Sequence, residues 1–191
     1  MELPAVKIMP VKNIRAYVGD TVNNNRSSGD FYSTPEQCTK DLLERETFDG
    51  PIWECACGEG AISKVLIKNG YDVYSSDLID RGYGDVGVDF LKQRDVCSNI
   101  ITNPPFKLSM QFCLQSLKMT KHKIAFFNKL TFLEGVKRQS IFEQGYLKNI
   151  YVYARRINLK KYTYVKRTGA MAFAWFVFDK SYQGKPMLDW I

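Results

Sequence analysis

Two consecutive prolines close an apolar run in the middle of this chain, at Asn103-Pro104-Pro105-Phe106. The run before them, Asn99-Ile100-Ile101-Thr102, reads as a buried strand. Neither proline can donate a ladder hydrogen bond and both fix φ, so the sheet has to stop here and a stiff, extended loop leaves the strand's carboxyl end. That loop carries the Asn103 side-chain carbonyl, the Pro104 backbone carbonyl and the flat face of Phe106. A pair of acceptors beside a π surface suits a planar exocyclic –NH2 group, whose hydrogens need acceptors while its ring stacks. On this tetrapeptide alone, a proline-terminated strand before a helix is an equal reading, and the surroundings have to decide.

The surroundings alternate strand and helix. Pro51–Cys55 reads as a first central strand, followed at once by Ala56-Cys57-Gly58-Glu59-Gly60 and a helix over Ala61–Lys68 that closes at Asn69-Gly70. A strand, glycine loop and helix in this order bring backbone close to a ligand at the strand's carboxyl edge. The three-glycine dinucleotide spacing is missing and no Lys-Ser/Thr follows, so the loop is a poor phosphate cradle. Tyr71–Asp77 reads as the second strand. Its terminal acid stands where βαβ units commonly hold ribose hydroxyls, at a supporting distance in sequence from Gly58, though a surface Asp ending a strand reads equally from the residue alone. Val86–Leu91 is a short third strand or turn; Asp89 is an adenine-amine acceptor with Phe90 packing on the ring, or an ordinary capping residue.

Upstream, Thr34 is predicted as an N-cap and Pro35 as the first residue of a helix over Pro35–Glu44, with Leu42 and Leu43 facing the core. Phe31 and Tyr32 then form a hydrophobic staple, an aromatic wall of a pocket, or both. Downstream come a helix over Leu108–Met119, a strand at Ile124–Phe127, a helix over Phe132–Glu143, and strands at Asn149–Ala154 and Ala170–Phe178 that pair antiparallel as a sheet-edge hairpin. This order predicts an open, mostly parallel α/β sheet. Trp53 and Trp175 fall in strand runs and read as core, and the single histidine, His122, is given no catalytic role.

With 191 residues, 45% apolar and 25% charged, the chain fits one globular domain over residues 31–191, preceded by a loosely organised segment over 1–30. It has no run of the ~20 apolar residues that span a bilayer and no signal-peptide pattern, so a cytoplasmic location is expected. The five cysteines have no Cys-x-x-Cys spacing and read as buried or idle thiols, with no metal site expected. A net charge of +7 favours a polyanionic partner. The run Arg155–Arg167 concentrates that charge: Arg155, Arg156, Lys160, Lys161, Lys166 and Arg167 are interleaved with Tyr162 and Tyr164, and no acid interrupts them. Basic groups among aromatics suit phosphate neutralisation and base stacking.

Taken together, these stretches resemble the S-adenosylmethionine-dependent amino-methyltransferases, and most of all the phage-type DNA adenine-N6 methyltransferases, from about Phe31 to the C-terminus. The resemblance implies a Rossmann-like class I methyltransferase fold: a mostly parallel seven-stranded sheet with an antiparallel C-terminal hairpin. It implies that Phe31, Tyr32, Thr34 and Pro35 contact the methionine end of the cofactor, and that Glu54, Cys55, Ala56, Gly58 and Gly60 form its loop. Asp77 and Leu78 would meet the ribose, Asp89 and Phe90 the adenine, and Asn103 the cofactor as well as the target amine. Asn103, Pro104, Pro105 and Phe106 match the catalytic motif, confined to enzymes acting on planar amino or amide nitrogens. The implied cofactor is S-adenosylmethionine and the implied partner is DNA, with RNA, cytosine N4 or a protein glutamine amide as alternative substrates and a non-catalytic nucleic-acid-binding module as an alternative of another class. Two features depart from the family pattern. Cys55 stands where a proline is common, and no separate target-recognition domain exists, so only residues 155–169 and the N-terminal loop are available to read sequence.

Overall fold

Strands β1 (Ile52–Glu54) and β4 (Asn99–Thr102) lie side by side at the centre of the sheet, parallel, with Trp53 opposite Ile100. The computed structural model to which they belong describes residues 32–158, 163–165 and 171–191, with backbone alone at 158 and 163–165. On one side of the central pair follow β2 (Val73–Asp77) and β3 (Asp85–Val86); on the other, β5 (Lys123–Lys129), β9 (Phe173–Asp179), β6 (Leu147–Val152) and β10 (Met187–Trp190). Every neighbouring pair is parallel except those made by β9, which runs against both β5 and β6. The connections reverse direction between β1 and β4, and such a switch point opens a crevice at the strands' carboxyl ends.

Strand alternation divides the core into two layers. Ile101, Ala125, Phe127, Trp175 and Val177 face α1 (Glu36–Leu43) and α2 (Ala61–Lys68). Ile100, Ile124, Phe126, Phe176 and Phe178 face α3 (Ser109–Met119) and α4 (Val136–Phe142). Trp175 is fully buried, and its indole donates to the Cys38 carbonyl at 2.8 Å, which ties α1 to the sheet. Large side chains such as Trp175, Phe126 and Phe176 each contribute roughly 1.5–3 kcal/mol by leaving water. All five cysteines are free thiols; Cys38, Cys55, Cys57 and Cys113 are buried. Among the described residues, no helix is long and apolar enough to cross a membrane.

Four expectations are corrected. Among the described residues the main sheet has eight strands, because Met187–Trp190 pairs with β6. All four residues of that strand are exposed, so backbone hydrogen bonds place it and no hydrophobic pattern announces it. The β6–β9 pair is antiparallel as expected but does not form the edge: β9 is inserted between β5 and β6. The third strand is only Asp85–Val86; Asp89 then accepts from the Leu91 amide at 3.1 Å and starts a 3-10 turn. Finally, the helix expected over Phe132–Glu143 is broken at Gly135, whose φ of 102° no helix accommodates, so a 3-10 turn precedes the shorter α4. The basic run contains a small hairpin of β7 (Arg156–Asn158) and β8 (Thr163–Val165).

Candidate active site

A cavity of about 210 Å3 opens at the carboxyl ends of β1, β2 and β4. Tyr32, Thr34, Glu54, Cys55, Ala56, Asp77, Leu78, Asp89 and Phe90 line it, and Asn103, Pro104, Pro105 and Phe106 complete its wall. Residues drawn from five separate stretches of sequence thus meet in one place. Pro35, Gly58 and Gly60 are not among the lining residues, and Phe31 lies outside the described residues.

The β1–α2–β2 half is held by backbone. Gly58 and Gly60 adopt φ of 55° and 76°. The Gly58 amide donates to Asp77 Oδ2 at 2.9 Å, and the Ile79 amide donates to Oδ1 at 2.9 Å. The Asp77 carboxylate is thereby fixed, with lone pairs left on both oxygens. The space beside Gly60 is not ligand space: a Cβ there would stand 2.5 Å from the Tyr83 ring, so this glycine admits a side chain of the protein itself. Asp89 pairs with Lys92 at 3.1 Å. Phe90, expected to offer a stacking face, is 2% exposed and packs edge-on against Trp53 at 5.2 Å. The exposed apolar side chains on this side of the cavity are Leu78 and Ile79.

Glu54 is buried and accepts from the Ser63 amide at 2.7 Å and from the Ser63 hydroxyl. The Ser75 hydroxyl lies 2.7 Å from that of Ser63 and extends the chain of hydrogen bonds. Burial pushes the Glu54 carboxyl up to about 8, against the pull of Ser63 toward lower values. Glu54 therefore ties β1 to the first turn of α2 while presenting one edge to the cavity. Burial likewise raises the thiols of Cys55 and Cys57, neither of which is a ready nucleophile.

The β4 half is held by the segment before α1. Asn103 Nδ2 donates to the Tyr32 carbonyl at 2.9 Å and to the Thr34 hydroxyl at 3.0 Å. Both amide hydrogens are used, so the side-chain oxygen is left as an acceptor at the cavity wall. This corrects the role predicted for Thr34. The N-cap of α1 is Pro35, with no side-chain hydrogen bond, and the Thr34 hydroxyl serves Asn103 instead. The Phe106 ring lies near-parallel to Tyr32 at 5.9 Å between centroids and tilted on Phe173 at 5.9 Å. The Lys129 ammonium sits 4.5 Å from the centre of the same ring.

Sequence reading missed Ser63, Tyr83, Lys129 and Phe173. Lys129 was findable: it follows the apolar run of β5, at the end of the sheet where the asparagine loop emerges. Of the predicted basic surface, Arg155 and Arg156 are exposed at the start of the β7–β8 hairpin. Tyr164 lies in β8, while Lys160, Lys161, Tyr162, Lys166 and Arg167 are outside the described residues.

The strand order, the single reversed strand and the cavity at the switch point define the Rossmann-like class I methyltransferase fold. Solved structures agree. The chain is similar to a Vibrio vulnificus protein assigned as the modification subunit of a type I restriction enzyme, with TM-score 0.60 and 14% identity over 91% of this chain. It spans about half of that longer protein, 48% of its length. A Pyrococcus horikoshii protein assigned as an RNA methyltransferase matches at TM-score 0.58 and 13% identity, over 91% of this chain and 93% of that one. Magnesium protoporphyrin IX methyltransferase from Synechocystis, solved with bound SAM, matches at TM-score 0.51 and 13% identity, over 87% and 89%. At these identities the likeness is one of fold. No protein-family model matches the sequence, and no curated protein matches it significantly.

Proposed function

We propose that this protein transfers a methyl group from S-adenosylmethionine to the exocyclic N6 amine of adenine in DNA. One observation carries the reading: Asn103 spends both amide hydrogens on Tyr32 and Thr34, so its oxygen is left to accept, beside the flat ring of Phe106 and in one cavity with Asp77 and Asp89. The residues present fit the cofactor. Asp77 keeps lone pairs for ribose hydroxyls, Asp89 supplies an acceptor for an adenine amine, and Leu78 supplies apolar surface. When bound, S-adenosylmethionine supplies an electrophilic methyl on a positively charged sulfur. The target base has to leave its stack, because its amine is unreachable there. Phe106 then stacks on it, while Asn103 Oδ1 and the Pro104 carbonyl accept from its amine. Those two acceptors draw the nitrogen toward a tetrahedral shape and free its lone pair to attack. Alignment and electrostatics aimed at the developing positive charge supply the rate, and no covalent intermediate on the protein is required. The exposed Arg155 and Arg156 suit the DNA backbone, and the restriction-modification likeness supports DNA as substrate.

The test is transfer of labelled methyl to unmethylated genomic DNA, followed by nucleoside analysis. N6-methyladenine is expected, with Asn103→Ala lowering turnover by roughly 10²–10³, as for other preorganised transition-state contacts. Label on cytosine would change the base. Label on RNA or on a protein amide alone would replace the substrate class. Cofactor binding with no transfer to any of these would leave a binding module, and full activity in Asn103→Ala would overturn the mechanism.

A further inference from the structure

The 3-10 turn over Leu130–Leu133 leaves the sheet beside the site. The last residue of β5, Lys129, is paired in register with Phe173, whose ring packs on Phe106. The next amide, of Leu130, donates to the Ala172 carbonyl at 2.9 Å and holds the start of the turn to the sheet. Phe132 anchors the turn from beneath: it is buried and meets Phe142 and Phe176 edge-on, at 5.8 and 5.4 Å. Gly135, at a φ of 102°, then turns the chain into α4. The tip carries Leu133, 37% exposed, and Val136, 87% exposed and the most exposed of the large apolar side chains among the described residues. The two border one shallow depression, so they stand side by side.

A single exposed apolar side chain is ordinary. Two together on an anchored turn, at the edge of the sheet where the substrate base is bound, call for a partner. An adenine that leaves a duplex opens a gap in the stack and costs unstacking and unpairing. Apolar side chains inserted between base steps can hold such a gap open. The charge around the tip suits a duplex. Lys137 and Arg138 follow Val136 directly, and Glu134 is the only acid over residues 130–138. Lys137 is exposed, and the Arg138 guanidinium lies over the Phe132 ring at 5.5 Å, beside the tip. We propose that Leu133 and Val136 enter the DNA stack and fill the space from which the target adenine has been withdrawn, with Lys137 against the adjoining backbone. The turn then makes part of the DNA contact that a separate recognition domain would otherwise supply. This rests on the DNA reading above.

The experiment places 2-aminopurine at the target position of a duplex that wild type methylates. Its fluorescence rises when the base leaves the stack. The signal is read at saturating protein for wild type, Leu133→Ser/Val136→Ser and Leu133→Met/Val136→Ile, with kcat/KM on the adenine duplex, cofactor affinity and thermal melts in parallel. If the serine double variant melts early, Val136→Ser alone replaces it. The serine variant is expected to lower the ratio of flipped to stacked base roughly tenfold, the order of one apolar side chain left in water, and kcat/KM falls with it. S-adenosylmethionine affinity stays at the wild-type level, and the methionine–isoleucine variant keeps the wild-type signal. Wild-type fluorescence in the serine variant overturns the inference. So does a loss matched by lost cofactor affinity, or a methionine–isoleucine variant that behaves like the serine one. If wild type methylates duplex DNA without raising the fluorescence, only this inference falls. If wild type methylates no DNA, the underlying reading falls and takes this inference with it.

Discussion

Replacing Thr34 by valine removes one acceptor and keeps the shape of the side chain. Thr34 is 4% exposed, so water does not readily take over the 3.0 Å hydrogen bond that its hydroxyl accepts from Asn103. The loss leaves one hydrogen of the Asn103 amide without a partner, a cost of about 1–3 kcal/mol for a buried donor. With one anchor left, the amide rocks about its remaining hydrogen bond to the Tyr32 carbonyl, and its oxygen is no longer held where the proposed mechanism needs it. If restoring the productive orientation takes about 1–2 kcal/mol, turnover falls roughly five- to thirtyfold. That is well short of Asn103→Ala, because the Tyr32 carbonyl still holds the other hydrogen. Thr34→Ser should restore the rate. The assay is single-turnover methyl transfer at saturating cofactor, with thermal melts and cofactor titration in parallel. A helix-capping Thr34 predicts the opposite pattern: a stability loss of about 0.5–2 kcal/mol with turnover intact. That pattern, or full turnover in Thr34→Val, would refute the view that the segment before α1 orients Asn103.

Two further predictions concern the β1–α2–β2 half. The Glu54 carboxyl titrates at about 8 in the folded state, above its ordinary 4.5, because burial disfavours its charge. The folded state therefore holds this proton more tightly; the stabilisation is fully present below about 4.5 and is lost as pH rises through about 8. Glu54→Gln should flatten that decline in denaturation experiments on either side of the range, and equal declines in the two proteins would count against it. Gly60→Ala should lower the melting temperature for two reasons, a Cβ 2.5 Å from the Tyr83 ring and a backbone φ of +76°. Trimming the ring in Gly60→Ala/Tyr83→Ala relieves only the first; a double variant as stable as Tyr83→Ala alone would show that backbone strain contributes nothing.

Most of the sheet was legible because it follows from runs of apolar residues and their breakers. Asn99–Thr102 and Ala61–Lys68 appear with the bounds read from sequence, the first ended by prolines and the second closed by Asn69 as C-cap. What was not legible depends on contacts without a local signature. β10 is held by pairing with β6, and its Trp190 is 63% exposed, so no buried pattern marks it. Phe90 beside an acid looks like a stacking residue, yet its ring completes a core cluster with Trp53 and Phe112, residues distant in sequence. Thr34 before Pro35 has the residue types of a helix start, and only the fold reveals that its hydroxyl has a better use.

The two halves of the site differ in the same respect. The Asp77 carboxylate is fixed by Gly58, 19 residues away within one βαβ unit, so both the acid and its anchor can be read from a single stretch. Asn103 is fixed by Tyr32, 71 residues away. Its identity is plain in the sequence, but its orientation exists only once the segment before α1 has crossed the end of β4. A loop stiffened by two prolines cannot turn to follow its substrate, so the precision of the acceptor has to come from whatever grips the asparagine side chain. In this protein that grip is a backbone carbonyl and a threonine hydroxyl, carried on the same short stretch as the Tyr32 ring that stacks on Phe106. Docking of that stretch therefore sets the acceptor and the aromatic wall together, whereas the Asp77 carboxylate is fixed within its own βαβ unit.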